Sequence, residues 1–435
     1  TDRNFVTGGA TASSRFLDLD PNNIAEISIL KGLSATVLYG EAGRNGVILI
    51  TTKNGDVEVT ENKGFEISFS QSLSQTEVAN LPDYQNEYGN GFSGDFGWFF
   101  SNWGPSFSIR GSNGIDENGQ VAHPYDQSQY NDDFPEFIGQ RYDYKSYMAA
   151  ENFWEKGTGA NTSVSVEKSF TGGAFSASYS YLQDEGFLPE RADGTSANSY
   201  DRHNFGLGAT AQLANGLTVR GTFNFVTSDR IAPPASVGFG SNPSGASLFA
   251  NLIYTPRSID LLNLPYESPL DGSMVYYRRG SAIQNPLWTL NNAYDQEQVR
   301  RFFGNFELNY DITDWLSASY RGGVDQYTQQ SLRAINRGGS QVPDGQLQTF
   351  DRLTTINDHV LNLLYRFDLS EDFELDGIIG TNLRRRKGDY TGVQSSNQFV
   401  PKLLRHSNFV DHTSFSSTSD VNTIGAYATA TLGFR

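Results

Sequence analysis

Three glycines spaced by three, Gly40, Gly43 and Gly46, lead into the apolar run Val47-Ile-Leu-Ile-Thr-Thr52, and phosphate binding is the first chemistry they suggest. A dinucleotide site needs a strand, then the glycines, then a helix whose N-terminus faces the pyrophosphate. Here the order is reversed. Leu33–Tyr39 has helix-compatible apolar spacing, the glycines follow, and the β-branched run comes last, as a short buried strand. No Gly-Lys-Ser/Thr is present, so a P-loop is excluded. The glycines read as a helix C-cap and a turn, with Asn45-Gly46 leading into the strand.

Catalytic and metal chemistry finds little support. The five histidines are His123, His203, His359, His406 and His412; none stands in His-Glu-x-x-His spacing, and no Gly-x-Ser-x-Gly elbow occurs. His406 and His412 lie six apart. Asp132, Asp133 and Glu136 could hold calcium, but that ion takes six to eight oxygens in a defined array, which this cluster does not specify. A solvated acidic loop accounts for them. No catalytic residue, metal or cofactor is assigned.

Composition narrows the class. Of 435 residues, 32 are Lys or Arg and 49 Asp or Glu, a net charge of −17, the opposite of a nucleic-acid binder. With no cysteine, disulfide frameworks and thiolate sites are excluded. The 30 Phe, 22 Tyr and 44 Gly suggest strands and polar loops. No run of about 20 apolar residues exists, which excludes a membrane-spanning helix. Thr1 does not look like a natural start, so the N-terminus is read as processed or truncated.

The elements beyond Gly55 follow a period of two. In Ala174–Tyr181, Phe175, Ala177, Tyr179 and Tyr181 oppose Ser176, Ser178 and Ser180. In Leu217–Phe225, Val219, Phe223 and Phe225 oppose Thr218, Arg220, Thr222 and Asn224. Ten strands are expected, near 64–78, 162–170, 174–183, 203–213, 217–227, 301–310, 315–327, 359–369, 373–384 and 423–434. Short turns at 171–173, 214–216, 311–314 and 370–372 alternate with long polar links over 79–160, 184–202, 227–298, 329–357 and 387–422. Strands of about ten residues, apolar on one face and joined by alternating short and long links, are the pattern of an outer-membrane β-barrel. A soluble sandwich with one wet face shares the alternation of faces but not that of the links.

Leu17–Gly40, continued by Gly43–Lys53, is similar to the end of the plug domain in the SusC/RagA family of TonB-dependent outer-membrane transporters of Bacteroidota. Trp103-Gly-Pro105, Phe153-Trp154 before Gly157, Tyr181–Phe187 and Tyr200-Asp-Arg202 also resemble that family, so the likeness runs from about Leu17 to Arg435. The resemblance implies an all-β fold: a transmembrane antiparallel β-barrel with the C-terminal part of an α/β plug. Residues 1–56 would be plug and 57–435 barrel. Ile27–Leu30 and Val47–Thr52 would be plug strands, and Asn22 or Asn23 would cap a short helix. The family's barrel has 22 strands, and its complete members carry an N-terminal extension, a TonB box and the first part of the plug. With ten strands here, the sequence is expected to be an incomplete piece of a longer chain.

The resemblance further implies import of oligosaccharides or peptides, not enzymatic activity. A SusD-like surface lipoprotein would form the lid. TonB, with ExbB and ExbD, would pull the plug, acting through a segment absent here. Outer-membrane lipid would surround the barrel, and pairs could form a two-fold dimer. Tyr88, Trp98, Phe99 and Trp103 in the longest link are candidates for stacking on substrate; packing within the loop or against the lipoprotein is the alternative. Arg44 and Asn45 in the plug turn could line the substrate side, or Arg44 could pair with wall carboxylates such as Glu307, Asp325 and Asp368. A docking role in a larger surface assembly remains the second functional reading.

Overall fold

The computed structural model describes residues 15–31, 45–52, 64–213, 216–234, 248–278 and 283–434. Two 3-10 turns, Arg15–Asp18 and Pro21–Asn23, lead into β1 (Ile24–Leu30), which pairs antiparallel with β2 (Val47–Thr52). Gly46 enters β2 with φ +90°, a left-handed conformation that favours glycine. The helix expected over 33–39, with Gly40, Gly43 and Arg44, lies outside the described residues. Neither Asn22 nor Asn23 caps a helix, because β1 starts at Ile24; the Asn23 amide instead donates to Asn224 Oδ1 at 3.4 Å.

All ten expected strands form. β3 (Glu66–Thr76) precedes a long loop that carries two small pairs, β4 (Gly91–Phe92) with β5 (Asp95–Phe96) and β6 (Gln120–Ala122) with β7 (Arg141–Asp143). Then come β8 (Gly157–Phe170), β9 (Gly173–Glu185), β10 (Ser199–Leu213), β11 (Leu217–Ala232) and β12 (Ala293–Thr313). β13 (Leu316–Ile335), β14 (Gln346–Asp368), β15 (Phe373–Gln398) and β16 (Phe409–Phe434) complete the series. They form one ten-stranded sheet in the order β16-β15-β14-β13-β12-β11-β10-β9-β8-β3, each strand antiparallel to its neighbour.

The strands are longer than the periodicity suggested. The ends of what reads as loop in 184–202 and 227–298, and most of it in 329–357 and 387–422, are strand, leaving links of 186–198, 233–292, 336–345 and 399–408. The turn expected at 311–314 is likewise mostly ladder, since β12 runs to Thr313. On β15 the outward residues are Phe373, Leu375, Ile379 and Leu383, then Arg385, Lys387 and Asp389. Above Leu383 the outward face turns to charged residues and the inner face mixes Arg384 and Arg386 with Tyr390, so the apolar-out, polar-in contrast vanishes while the ladder continues. The apolar stretch covers eleven residues (373–383). That is roughly 36 Å of strand, and at a tilt of about 40° roughly 28 Å of height, close to a bilayer core.

The outward face carries the apolar side chains: Phe69, Leu207, Phe223, Phe306, Ile379 and Ile424 are all exposed. Aromatic pairs border the band. Near the short turns, Trp315 stacks on Phe367 at 4.9 Å and Phe373 meets Phe434 at 5.3 Å. Toward the long links, Tyr179 Oη lies 2.9 Å from His203 Nδ1, and Tyr320 Oη lies 2.8 Å from His359 Nδ1. Rings with one apolar and one wet end belong at such interfaces. The fold is that of part of a transmembrane antiparallel β-barrel.

Candidate functional site

Strand parity fixes what lines the inner wall, and the N-terminal segment meets that same face. Arg301 on β12 is the centre of the contact. Its guanidinium grips Asp325 on β13 with two bonds, Nε to Oδ1 at 2.9 Å and Nη2 to Oδ2 at 2.8 Å. Its Nη1 reaches into the segment, donating to the Arg15 carbonyl at 2.9 Å and to Asp18 Oδ2 at 3.2 Å. Arg15 crosses back, Nη2 to Glu297 Oε1 on β12 at 2.9 Å, with its guanidinium 5.7 Å from the Tyr327 ring.

Asp18 is 2 % exposed. Burial pushes its carboxyl above the usual carboxylate value, and the cations of Arg15 and Arg301 pull against that shift. Polar wall residues complete the seat. Arg202 Nη1 donates to the Leu19 carbonyl at 3.4 Å. Asn204, with its amide turned to suit its neighbours, donates to the Asp18 carbonyl at 3.0 Å and accepts from Arg202 Nε at 2.9 Å. A narrow crevice between Asn23, Ile50, Asn224 and Phe303 runs along this contact. The described contacts of the segment with the wall thus include a set of hydrogen bonds and ion pairs, which water can replace when the two separate.

Beyond the long-link ends of the strands, the loop of 77–156 folds together with residues 248–278 and 283–292. Arg257, 3 % exposed, joins the two. It meets Glu151 Oε1 at 2.6 Å, donates to Asn86 Oδ1 at 2.5 Å and lies 5.1 Å from the Tyr84 ring. Ser258 Oγ donates to Asn90 Oδ1, and Tyr142 Oη donates to the Ser258 carbonyl at 2.9 Å. His123, 6 % exposed, stacks on Phe137 at 4.0 Å, and its Nδ1 accepts from the Tyr125 amide at 3.1 Å. Burial lowers the His123 imidazolium to about 4 from 6.5.

The four aromatic candidates part company. Trp98 packs between two buried clusters, with ring distances of 4.9 Å to Phe96, 5.9 Å to Tyr142 and 6.4 Å to Tyr277. Tyr88 and Phe99 are each 46 % exposed, and Trp103 is 70 % exposed. Trp103 sits 5.9 Å from Phe92, and the Arg278 guanidinium lies 5.8 Å from the Phe99 ring. The Gly94 amide donates to the Trp103 carbonyl and the Asn90 side chain to the Phe99 carbonyl, so one compact loop holds the exposed rings. Asn45 is exposed at the turn into β2, away from them in sequence, and Arg44 lies outside the described residues.

Other sequence candidates take ordinary places. Asp325 pairs with Arg301 of its own wall. Asp133 accepts from Ser268 Oγ at 2.5 Å, and no group of three or more metal-ligating side chains occurs among the described residues. His406 and His412 both reach the Ser395 hydroxyl, Nδ1 to Oγ at 2.8 Å and 2.7 Å. Arg15, Asp18, Glu297 and Arg301 were not singled out from the sequence. Parity puts Glu297 and Arg301 on the inner face, but their partners lie some 280 residues away in the chain.

No protein-family model matches the chain. Two curated relatives do. The TonB-dependent receptor SusC of Bacteroides thetaiotaomicron is 36% identical over 80 residues, 18% of this chain and 8% of that protein. The TonB-dependent receptor P3 of Formosa agariphila is 43% identical over 53 residues, 12% of this chain and 5% of that protein. Among solved structures, the RagAB peptide importer in its closed-closed state gives a TM-score of 0.69 at 15% identity over 96% of this chain and 45% of that one. Its open-open state gives 0.68 at 18% identity over 98% and 46%. The chain thus spans under half the length of the solved chains it matches, and under a tenth of each curated relative falls within the match.

Proposed function

We infer that this chain, a member of the SusC/RagA family of TonB-dependent outer-membrane receptors, is part of an importer that takes up oligosaccharides or peptides across the outer membrane. In this reading residues 57–435 form barrel wall and extracellular loops, and residues 1–56 are the end of the plug. The observation that carries it is the polar seat of Arg15 and Asp18 on Arg301 and Glu297. A plug that must leave the wall, or rearrange within it, needs contacts that water can take over. A permanently packed domain would use an apolar interface.

The parts then have distinct tasks. TonB, energised through ExbB and ExbD, pulls on the plug. A SusD-like lipoprotein closes over the loops built from 77–156, 248–278 and 283–292, and such pairs form a two-fold dimer. Tyr88, Phe99 and Trp103 offer ring faces to substrate, with Trp98 supporting them from behind, while Arg44 and Asn45 face it from the plug. Aromatic faces serve a glycan and a peptide alike; the RagAB structures are described as a peptide importer.

Deletion of the complete gene tests the reading. Growth on one polymer or peptide source is expected to fail, and to fail equally when TonB is removed. The intact protein is expected to co-purify with a surface lipoprotein. Unchanged growth on every source, with no lipoprotein recovered, would overturn it.

A further inference from the structure

The inner face of β14, β15 and β16 carries a second group of side chains, away from the seat of the N-terminal segment. Register places it on the inner side. Tyr327, which Arg15 covers, pairs with Thr354, Thr354 pairs with Gly388, and Gly388 pairs with Ser419. Two residues toward the long links, the same face carries Arg352 opposite Tyr390; two further, it carries Phe350 opposite Gly392, and Gly392 opposite Phe415. Two and four residues the other way, it carries Arg386 opposite Ile356 and Arg384 opposite Asp358.

The three rings form a panel. Phe350 and Tyr390 lie 6.0 Å apart at 8° between planes, Phe415 is 5.6 Å from Phe350, and Phe415 is 5.4 Å from Tyr390. Gly392 lies under them, where any side chain would collide with Phe415 and Phe350. The Arg352 guanidinium is 5.4 Å from the Tyr390 ring. The two arginines deeper in the wall have little local neutralisation. Arg384 has Asp358 at 3.9 Å, with half of its side chain exposed, and Arg386 has no carboxylate within ion-pair distance among the described residues. The outward members of the same basic run behave otherwise: Arg385 is bound by Asp420 at 2.6 Å and Lys387 by Asp389 at 3.3 Å. Among the described residues, the inner face here thus carries two arginines with little acidic neutralisation, in a chain whose net charge is −17.

We propose that this panel, Phe350, Tyr390 and Phe415 with Arg384 and Arg386 beneath it, binds an anionic oligosaccharide whose sugars carry carboxylate or sulfate groups. The proposal rests on the import reading and names its substrate class. A pyranose presents a flat C–H face to half-buried aromatic rings such as these and holds its acid at the rim, where a guanidinium can take it with two bonds. A peptide strand seeks pockets for alternate side chains, and the panel is a platform shared by three strands. The rings stand nearer the extracellular ends of the strands and the arginines lie deeper, so a ligand stacks first and meets the charges as it descends.

The test uses the full transporter, purified from outer membranes with its partner and titrated calorimetrically. The probes are tetragalacturonate, a sulfated galactan tetrasaccharide, neutral cellotetraose and tetraglutamate. One of the two acidic glycans is expected to bind, and which one separates carboxylate from sulfate. The double variant Arg384→Gln, Arg386→Gln is expected to weaken that binding about tenfold to a hundredfold, the usual weight of hydrogen bonds to charged groups. Phe415→Leu should weaken it about fivefold, in line with the loss of one ring contact. Arg385→Gln, on the outward face, should leave it unchanged, and heat-modifiable migration of each variant checks that the barrel is assembled.

Equal binding by wild type and the double variant would overturn the proposal, as would failure of both acidic glycans to bind. Tetraglutamate binding with the same arginine dependence would move the site to peptides and overturn the glycan assignment. The import reading fails separately, if uptake by cells proves independent of TonB, because the calorimetric result does not depend on TonB.

Discussion

Arg301 and Asp18, 283 residues apart in the chain, meet at 3.2 Å, and the same guanidinium holds Asp325 of the wall at 2.8 Å. One arginine therefore bridges the wall to the segment seated on it. Its wall contact is a bidentate carboxylate grip through Nε and Nη2, whereas the segment shares the single nitrogen Nη1 between the Arg15 carbonyl and Asp18 Oδ2, so the segment side is the more weakly held.

Replacing Asp18 with Ala should loosen the segment without disturbing the wall. The lost charge-assisted bond is worth about 1.5–3 kcal/mol. Hydrogen exchange of β1 and β2 in the intact protein should rise, while β12 and β13 keep their protection. Asp18→Asn, which retains an acceptor for Arg301, should show a smaller rise.

The two faces of β11 should respond oppositely to charge. Phe223 is outward and exposed, and Thr222 faces inward. Phe223→Lys should cost about 2–4 kcal/mol at the membrane midplane and block assembly, whereas Thr222→Lys meets a wet lumen and should assemble. Equal yields of heat-modifiable barrel from both variants would contradict the assignment of faces.

Acid should open the outer loops. The His123 imidazolium titrates at about 4 when folded and at 6.5 when free. The unfolded loop therefore binds the proton more readily. Stability is fully present above pH 6.5 and is lost as pH falls from 6.5 toward 4, by at most about 3 kcal/mol. Proteolysis within 77–156 should accelerate over that window, and His123→Phe should flatten the dependence.

Trp98 and Trp103 should separate stability from recognition. Trp98 packs into two clusters, so Trp98→Ala should destabilise the loop assembly by about 3–5 kcal/mol. Trp103 is 70 % exposed, and Trp103→Ala should change stability by less than about 0.5 kcal/mol. A fall in substrate or lipoprotein binding in the Trp103 variant, measured on the full complex, would assign that ring to recognition.

The membrane-height part of the fold was legible in the residues because one face meets lipid. Phe175, Ala177, Tyr179 and Tyr181 against Ser176, Ser178 and Ser180 already marked β9 and its direction of facing. All ten strands were found that way, and the Asn45-Gly46 turn marked the start of β2. The upper halves of β14 to β16 were invisible, because both of their faces meet water or loop and the ladder is held by backbone bonds that any side chain allows. The sites were hidden for a different reason. Arg301 and Arg386 are both arginines at inward positions within short basic runs, and alternation says no more about either. Only the tertiary structure brings Asp18 to the first and sets the second below Phe350, Tyr390 and Phe415 with no ion-pair partner among the described residues, since charge pairing depends on which distant segments meet.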